Sequence, residues 1–480
     1  MEKNKLKWFL LLLTGLCIFF FSCEKENNLE NEPDSTQKPV SGDTLKVNTF
    51  IYEDVQTYYL WTSTVNWRQM HPEYEPDPFG FFDKLMYRSV DEWSELYDNA
   101  QDTNERFEGT FTTFGYELSW WRFSNSPSLF AVVLLVYPDS PAEKAGLKRG
   151  DFLMTINGLD ITVDNYMDFY YAPSISVGKG ILTDTSLAVD TVISMTAEKM
   201  YEEPVYMDTV IVKGTHKIGY LCYTGYTQES KERLLDVFAG FKSQGVSDVV
   251  LDLRYNGGGY ADVSRWLSSI LAPHSAVQRK DVFLTRTWNE QMMPEAAKIG
   301  YVTENFIDTL SVNMDLTRLF VLTTYRTASA SEATIIGLKP YMNVIQIGEQ
   351  THGKYYGGLL LEPLVYDRRT NDWVLDQEIE NWLMYLMVYR YADKNGDVSF
   401  SGGLVPDMYA EEEDFSLAPI GDEQDPLLGK AIEMITGAPV RTRVAQRISL
   451  PNTIKAAELR SPLNGKMIHT GELPVKTGKE

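Results

Sequence analysis

Cysteine is almost missing from this chain: Cys17, Cys23 and Cys222 are all it has. Three such residues, one of them inside an N-terminal apolar run, exclude an intrachain disulfide framework. Histidine is nearly as rare. His71, His216, His274, His352 and His469 are scattered without the spacing of a ligand set, so neither a metal nor another cofactor is expected. The stretch "DKNGD" at 393–397 starts like a calcium loop but puts Val398 and Leu404 where Gly and Glu are needed, and it reads as a turn. Positive charge is short as well: 44 basic against 67 acidic side chains leave a net charge of −23. That balance repels phosphate backbones and argues against a nucleic-acid partner. The N-terminal apolar run, Trp8 to Phe21, has 14 residues, fewer than the ~20 a spanning helix requires.

What the N-terminus does carry is the pattern of an export signal: Lys3, Lys5 and Lys7, the apolar run, then Ser22 and Cys23. The string "FFSC" resembles a bacterial lipoprotein box. The resemblance implies a signal peptide over 1–22, cleavage before Cys23, and a lipid on its sulfur that makes the membrane a partner. The expected location is the cell envelope, at the outer membrane. Cys222 sits in the strand-like "IGYLCY" and is given no catalytic role. Residues 23–45 are rich in Asn, Glu, Ser, Pro and Lys with little that is apolar, a composition that cannot offset ordering entropy, and they read as a tether.

The length accommodates roughly three domains. In 46–104, Val47, Phe50, Ile51, Val55 and Tyr58 fall at a helical period, and Phe81, Phe82, Leu85 and Met86 continue it; a small helical domain is predicted. From 105 to 213 the texture is strand-like, in "FTTFGYEL", "LFAVVLLVY" and "FLMTING". Between these lies "PDSPAEKAGLKRGD", where Pro141 opens a short helix and Gly146 ends it. This string resembles the PDZ domain of bacterial proteases. The resemblance implies a groove that takes a peptide C-terminus as an added strand. Phe114, Gly115 and Tyr116 of "TFGY" lie where such domains place the carboxylate-binding loop.

Over 214–437, strand and helix patterns alternate, which implies parallel pairing through crossover helices. "TQESKERLLDVFAGFKSQG" reads as a helix capped by Thr227. The mixed tail 438–480 has no assigned role. Functional residues of parallel sheets gather beyond the carboxyl ends of the strands, and three loops leave such ends: "DLRYNGGG", "YRTASASE" and "GEQTHGK". The first offers consecutive amides at Gly257, Gly258 and Gly259, able to hold a developing anion; lacking a Gly-Lys-Ser/Thr string, it is poorly suited to a nucleotide. The second holds Thr327, Ser329 and Ser331, which could equally be only helix caps. The third holds Lys354 between Gly353 and the aromatic pair Tyr355 and Tyr356. A lysine can act as a base only when neutral, and burial favours that form.

Together "DLRYNGGG", "TASASE" and "GEQTHGK" resemble the carboxyl-terminal processing peptidases, also called tail-specific proteases. The resemblance covers about 105–437, where "SGGLVPD" and "DPLLGKAIEMITG" match the closing segment. It implies a multidomain α+β protein: a small N-terminal helical domain, a PDZ-like β-rich domain, and an α/β protease core of ClpP/crotonase-like fold. It further implies a serine endopeptidase acting on protein or peptide substrates through a Ser–Lys pair. By carry-over the nucleophile is Ser329 and the base Lys354, with oxyanion donors at the amides of Ala330 and Gly258. Where the family often has a glutamine four residues past the lysine, this chain has Gly358, so Lys354 needs another orienting group, for which Glu349 and Gln350 are candidates. Two alternatives stand beside this reading: His352 as the base, and a lipoprotein that binds peptides or ligands and cleaves nothing.

Overall fold

The structure is a computed structural model that describes residues 38–124, 126–182, 186–397, 400–412, 415–440, 450, 453–456 and 466–469. The export signal, Cys23 and most of the tether lie outside the described residues. No helix among the described residues is long and apolar enough to cross a membrane.

Helix α1 (Asp43–Tyr58) buries Val47, Phe50, Ile51, Val55 and Tyr58 along one stripe. Helix α2 (Pro78–Leu85) starts at Asp77, whose carboxylate accepts from the amides of Phe79 and Gly80. The N-terminal region holds the predicted helices α1 and α2 and adds one element that the periodicity does not announce. A strand near its end, β1 (Glu95–Tyr97), pairs antiparallel with residues 383–385 of the α/β core, and the region's apolar residues join one continuous cluster with that core. A strand that short is specified by its distant partner and leaves no local period to read.

The second region is a twisted antiparallel sheet. Its strands β2 (Tyr116–Phe123), β3 (Leu129–Val136), β4 (Phe152–Ile156), β5 (Ser174–Leu182) and β6 (Leu187–Thr196) pair in that order. The short helix Pro141–Lys144 begins at Ser140, whose hydroxyl accepts from the Glu143 amide at 3.1 Å.

In the core, β7 (Val205–Lys213) runs antiparallel to β8 (His216–Tyr223). Helix α3 (Ser230–Ser243) then leads to β9 (Asp248–Asp252), and the chain continues through β10 (Gly259–Tyr260), α4 (Ala261–Leu271), β11 (Val282–Trp288) and β12 (Thr303–Asn305). It goes on to β13 (Arg318–Thr323), α5 (Ala330–Leu338), β14 (Asn343–Gly348), β15 (Tyr356–Leu361), β16 (Leu383–Ala392), β17 (Met408–Tyr409) and α6 (Pro426–Thr436). Strands β8, β9, β13, β14 and β17 are parallel neighbours in that order. Thr227 does not cap α3, which begins at Ser230; instead its carbonyl accepts from the Ser230 hydroxyl at 2.7 Å.

Two strands of the C-terminal region complete the sheets. β18 (Thr453–Lys455) pairs antiparallel with β2. β19 (Met467–His469) lies between β10 and β15, in the order β10-β19-β15-β16-β11-β12.

A buried ion network docks the PDZ-like sheet onto the core. Arg149 reaches Glu412 at 2.5 Å and the Tyr255 hydroxyl at 2.7 Å. Arg254, 1 % exposed, binds Asp252 at 2.8 Å, and Asp425 and Glu412 both at 2.7 Å. Burial would raise the Glu412 carboxyl, but Arg254 and Arg149 together pull it down to about 2.

Candidate active site

Three loops converge at the carboxyl ends of β9, β13 and β14. The Ala328 amide donates to the Asn256 carbonyl at 3.1 Å, and the His352 amide to the Thr327 carbonyl at 3.0 Å. Packing in the glycine run is close enough to require glycine. A Cβ on Gly258 (φ 116°) would stand 2.8 Å from the Ser329 Cβ and 3.2 Å from the Ala330 amide; one on Gly259 (φ 133°) would stand 2.3 Å from the Tyr226 carbonyl oxygen. The Gly258 amide, expected to serve as an anion donor, is committed to Asn256 Oδ1 at 2.9 Å. It is the Gly259 amide that presents itself to a carbonyl, that of Lys466, at 2.7 Å.

Hydrogen bonding separates the three hydroxyls of "TASAS". Thr327 Oγ1 donates to the Leu253 carbonyl at 2.8 Å and accepts from the Thr324 amide at 3.0 Å. Ser331 donates to the Asn256 carbonyl at 3.0 Å. Both hold the loops together. Ser329 alone is fully buried with no hydrogen-bond partner for its Oγ among the described residues. It stands at the N-cap of α5 with φ 62° and ψ −115°, a conformation uncommon for any residue with a side chain. Its own amide donates to Glu332 at 2.8 Å, the Glu332 half of a capping box. Ala330, next in the chain, is the first helical residue, and its amide has no acceptor within the helix.

Lys354 is also fully buried. Its Nζ lies 3.3 Å from the Tyr385 hydroxyl and faces the rings of Trp93 and Tyr385, with centroids at 5.3 and 5.5 Å. Burial first, and the neighbouring charge of Lys466 second, push its affinity for a proton well below that of an ordinary lysine, against the pull of Asp91, Glu332 and Glu92. The two expected orienting groups make bonds elsewhere: Gln350 donates to the Gly402 carbonyl, and Glu349 accepts from the Tyr325 amide at 3.4 Å.

Two residues tie the serine loop to the lysine loop. Glu332 accepts from the Ser329 amide, from Thr351 Oγ1 and the Gly353 amide (both 2.6 Å), and from the Lys354 amide at 2.9 Å. Burial raises its carboxyl to about 7 against those donors. The Tyr391 hydroxyl lies 2.9 Å from the Ser329 carbonyl and 2.6 Å from that of Lys354. Sequence reasoning did not identify these supports. The Ser-x-x-Glu spacing is a signal for Glu332, but Tyr385 and Tyr391 arrive on β16 with no local mark. Ser329 and Lys354 therefore share one buried loop cluster, with no hydrogen bond between Oγ and Nζ in this arrangement.

In the PDZ-like sheet, the aromatic side chains of "TFGY" are core and line no groove. Phe114 and Tyr116 are buried and stacked, with ring centroids 5.9 Å apart. Gly115 (φ 77°) lets the loop lie on Ser140, and its amide donates to Thr113 Oγ1 at 3.0 Å. Any ligand contact from this loop must come from backbone. The loop bearing Ser329 touches the same sheet, since Arg326 donates to the Leu118 carbonyl of β2 at 2.9 Å.

Comparison with known proteins agrees with this layout. Residues 217–410 match the profile of peptidase family S41, residues 132–169 that of a PDZ domain, and residues 46–95 that of the peptidase S41 N-terminal domain. A carboxyl-terminal-processing protease of Picosynechococcus is 25% identical over 65% of this chain and 69% of its own length. A chloroplastic C-terminal processing peptidase of Tetradesmus obliquus is 27% identical over 51% of this chain, and the match spans only about half, 52%, of that relative. A solved chain from Bacteroides fragilis, described as belonging to the S41 proteases, superposes with a TM-score of 0.62 at 22% identity, covering 81% of this chain and 97% of its own, which establishes the shared fold. With its N-terminal domain, its PDZ domain and its protease core, the chain belongs to peptidase family S41.

Proposed function

We propose that this chain is a serine endopeptidase in which Ser329 is the nucleophile and neutral Lys354 its general base. The observation that carries the reading is the burial of the Lys354 amine on a loop that Glu332 ties to the loop of Ser329. A buried amine held below its usual proton affinity can take the hydroxyl proton at neutral pH. The Ser329 oxygen then bonds the scissile carbonyl carbon, and the negative charge moves to the carbonyl oxygen. That oxyanion falls to the amide of Ala330 at the N-terminus of α5 and to a glycine-run amide. Both glycine amides have acceptors: Gly258 is held inside its own loop by Asn256, whereas Gly259 is held by the Lys466 carbonyl of the C-terminal region, so Gly259 is the one freed when that region moves away. Protonated Lys354 next gives its proton to the departing amine, and water releases the acyl group by the same steps in reverse.

Substrates are polypeptides with an apolar C-terminal tail, received as an added strand by the PDZ domain. Support comes from the edge of β2, which accepts an antiparallel strand in this structure. Membrane attachment through Cys23 completes the proposal. It rests on the N-terminal sequence alone, and incorporation of a labelled fatty acid by the wild type but not by Cys23→Ala tests it.

The test of the activity uses an unstructured polypeptide with an apolar C-terminus. Wild-type protein is expected to cleave it, Ser329→Ala and Lys354→Ala to leave it intact, and His352→Ala to retain cleavage. Unchanged cleavage by either of the first two variants refutes the assignment. Binding without cleavage by the wild type favours the ligand-capture alternative.

A further inference from the structure

The described parts of the C-terminal region occupy both places to which the proposed function assigns a polypeptide substrate. β18 extends the PDZ-like sheet at β2, with Thr453 opposite Phe123 and Lys455 opposite Trp121. The Ala456 amide donates to the Trp120 carbonyl at 2.9 Å. Ala456 is 1 % exposed, within the same apolar cluster as Phe114, Trp120 and Phe169. The Lys455 ammonium lies 4.8 Å from the ring centre of Tyr325, on the loop that carries Ser329. Further along, β19 fills the space between β10 and β15. The Lys466 carbonyl oxygen accepts from the Gly259 amide, 3.0 Å from the point where a Cβ on Gly258 would touch Ser329. The Lys466 ammonium is pinned by Glu95 at 2.5 Å and by the Tyr97 hydroxyl.

We propose that the chain's own C-terminal segment is a cis-acting strap that fills the PDZ edge and the glycine-run subsite together, so that a substrate must displace it. The inference rests on the peptidase reading of Ser329 and Lys354. Polarity distinguishes the strap from a substrate. β18 runs toward the Thr113–Tyr116 loop, the direction a docked tail takes. A tail ends there and reaches Ser329 with residues that precede its bound end. In the strap the residues at the glycine run, Lys466 to His469, follow those at the PDZ edge, Thr453 to Ala456, so it covers both subsites without presenting itself as a tail does. Being part of the same chain, it acts at an effective concentration of order millimolar. A modest intrinsic affinity therefore holds it in place, and a ligand engaging only one subsite competes poorly.

The test compares the full chain with a chain ending at residue 449, both carrying Ser329→Ala so that nothing is turned over. A fluorescent synthetic peptide of residues 450–469 is expected to bind the shortened protein saturably and at least ten-fold more tightly than the full chain. Hydrogen exchange in the segment containing Gly259 is expected to quicken at least ten-fold when the strap is removed. A full-length variant, Ala456→Glu, places a charge at the buried contact with β2 and is expected to bind the peptide more tightly than the unmodified full chain. Equal binding by long and short chains overturns the strap, as does slow exchange at Gly259 in a shortened chain whose circular dichroism shows it folded. Should the shortened chain unfold, Ala456→Glu decides: no gain in peptide binding and unchanged exchange overturn the proposal. Neither readout needs turnover, so failure of the peptidase reading appears separately in the cleavage assay.

Discussion

Tyr385 sets its hydroxyl 3.3 Å from the Lys354 amine while its ring stands over Gly358. A Cβ on Gly358 would lie 2.6 Å from Tyr385 Cε2 and 2.6 Å from Met387 Cε, so the glycine that departs from the family pattern is the space the tyrosine fills. An oxygen that accepts one N–H of a neutral amine leaves the lone pair free for a serine proton. Tyr385→Phe is expected to lower kcat by roughly ten- to a hundred-fold with little change in KM, within the range of a lost acid–base positioning contact. A rise in KM at constant kcat would assign Tyr385 to substrate binding instead. Gly358→Gln is expected to destabilise the protein by about 1–3 kcal/mol through overpacking, measured by denaturant unfolding.

Lys354→Met tests the cost of keeping the proposed base neutral. The folded protein holds this lysine below its unfolded proton affinity. Below the folded value the penalty is complete, about 1.4 kcal/mol per unit of lowering, and between the folded value and the unfolded value of about 10.4 it is partial, because there only the unfolded chain holds the proton. That penalty fades as pH rises toward the unfolded value. The inactive methionine variant is expected to melt at least ~2 °C higher at pH 7, and a lower melting temperature would argue that the amine is charged and paired.

Glu332→Ala removes the acceptor of four donors on two loops: the amides of Ser329, Gly353 and Lys354 and the hydroxyl of Thr351. Leaving them unpaired in a dry site is expected to cost on the order of 3 kcal/mol or more and to abolish turnover. Activity and stability near wild type would show that the loops are organised without it.

Glu412 links Arg149 of the PDZ-like sheet to Arg254 of the core. Its carboxyl is depressed to about 2, so its contribution is present above the unfolded value near 4.3 and is lost as pH falls through the window down to about 2. Stability measured across that window is expected to drop in the wild type and to drop less in Glu412→Gln. Parallel slopes would contradict the pairing.

The layered core was legible because each β-strand and crossover helix is one contiguous run whose period survives in the sequence, and the three site loops because their glycines, hydroxyls and amine are contiguous within each loop. What was not legible comes from distant chain. β1 pairs with β16 across almost 300 residues of sequence. Tyr385 and Tyr391 lie in an apolar strand whose tyrosines look like core, and they are core except for their hydroxyls. Phe114 and Tyr116 read as groove residues because the PDZ resemblance places its carboxylate-binding loop there, yet both rings lie in the apolar cluster with Phe169, whose carbonyl accepts from the Tyr116 hydroxyl. Thr227 offered a capping hydroxyl, but the helix starts one turn later. The tail strands carry no period at all, since each is only three residues long.

The central claim is that Lys354 is uncharged beside Ser329 at the pH where the protein works. It is tested most directly by NMR titration of protein labelled with 13C at lysine Cε, with the Lys354 signal assigned by its loss in Lys354→Met. The account predicts one lysine signal in its neutral form at pH 8, shifting to the charged form only well below the midpoint of the other lysines. A Lys354 signal that remains in its charged form up to pH 10 would contradict it.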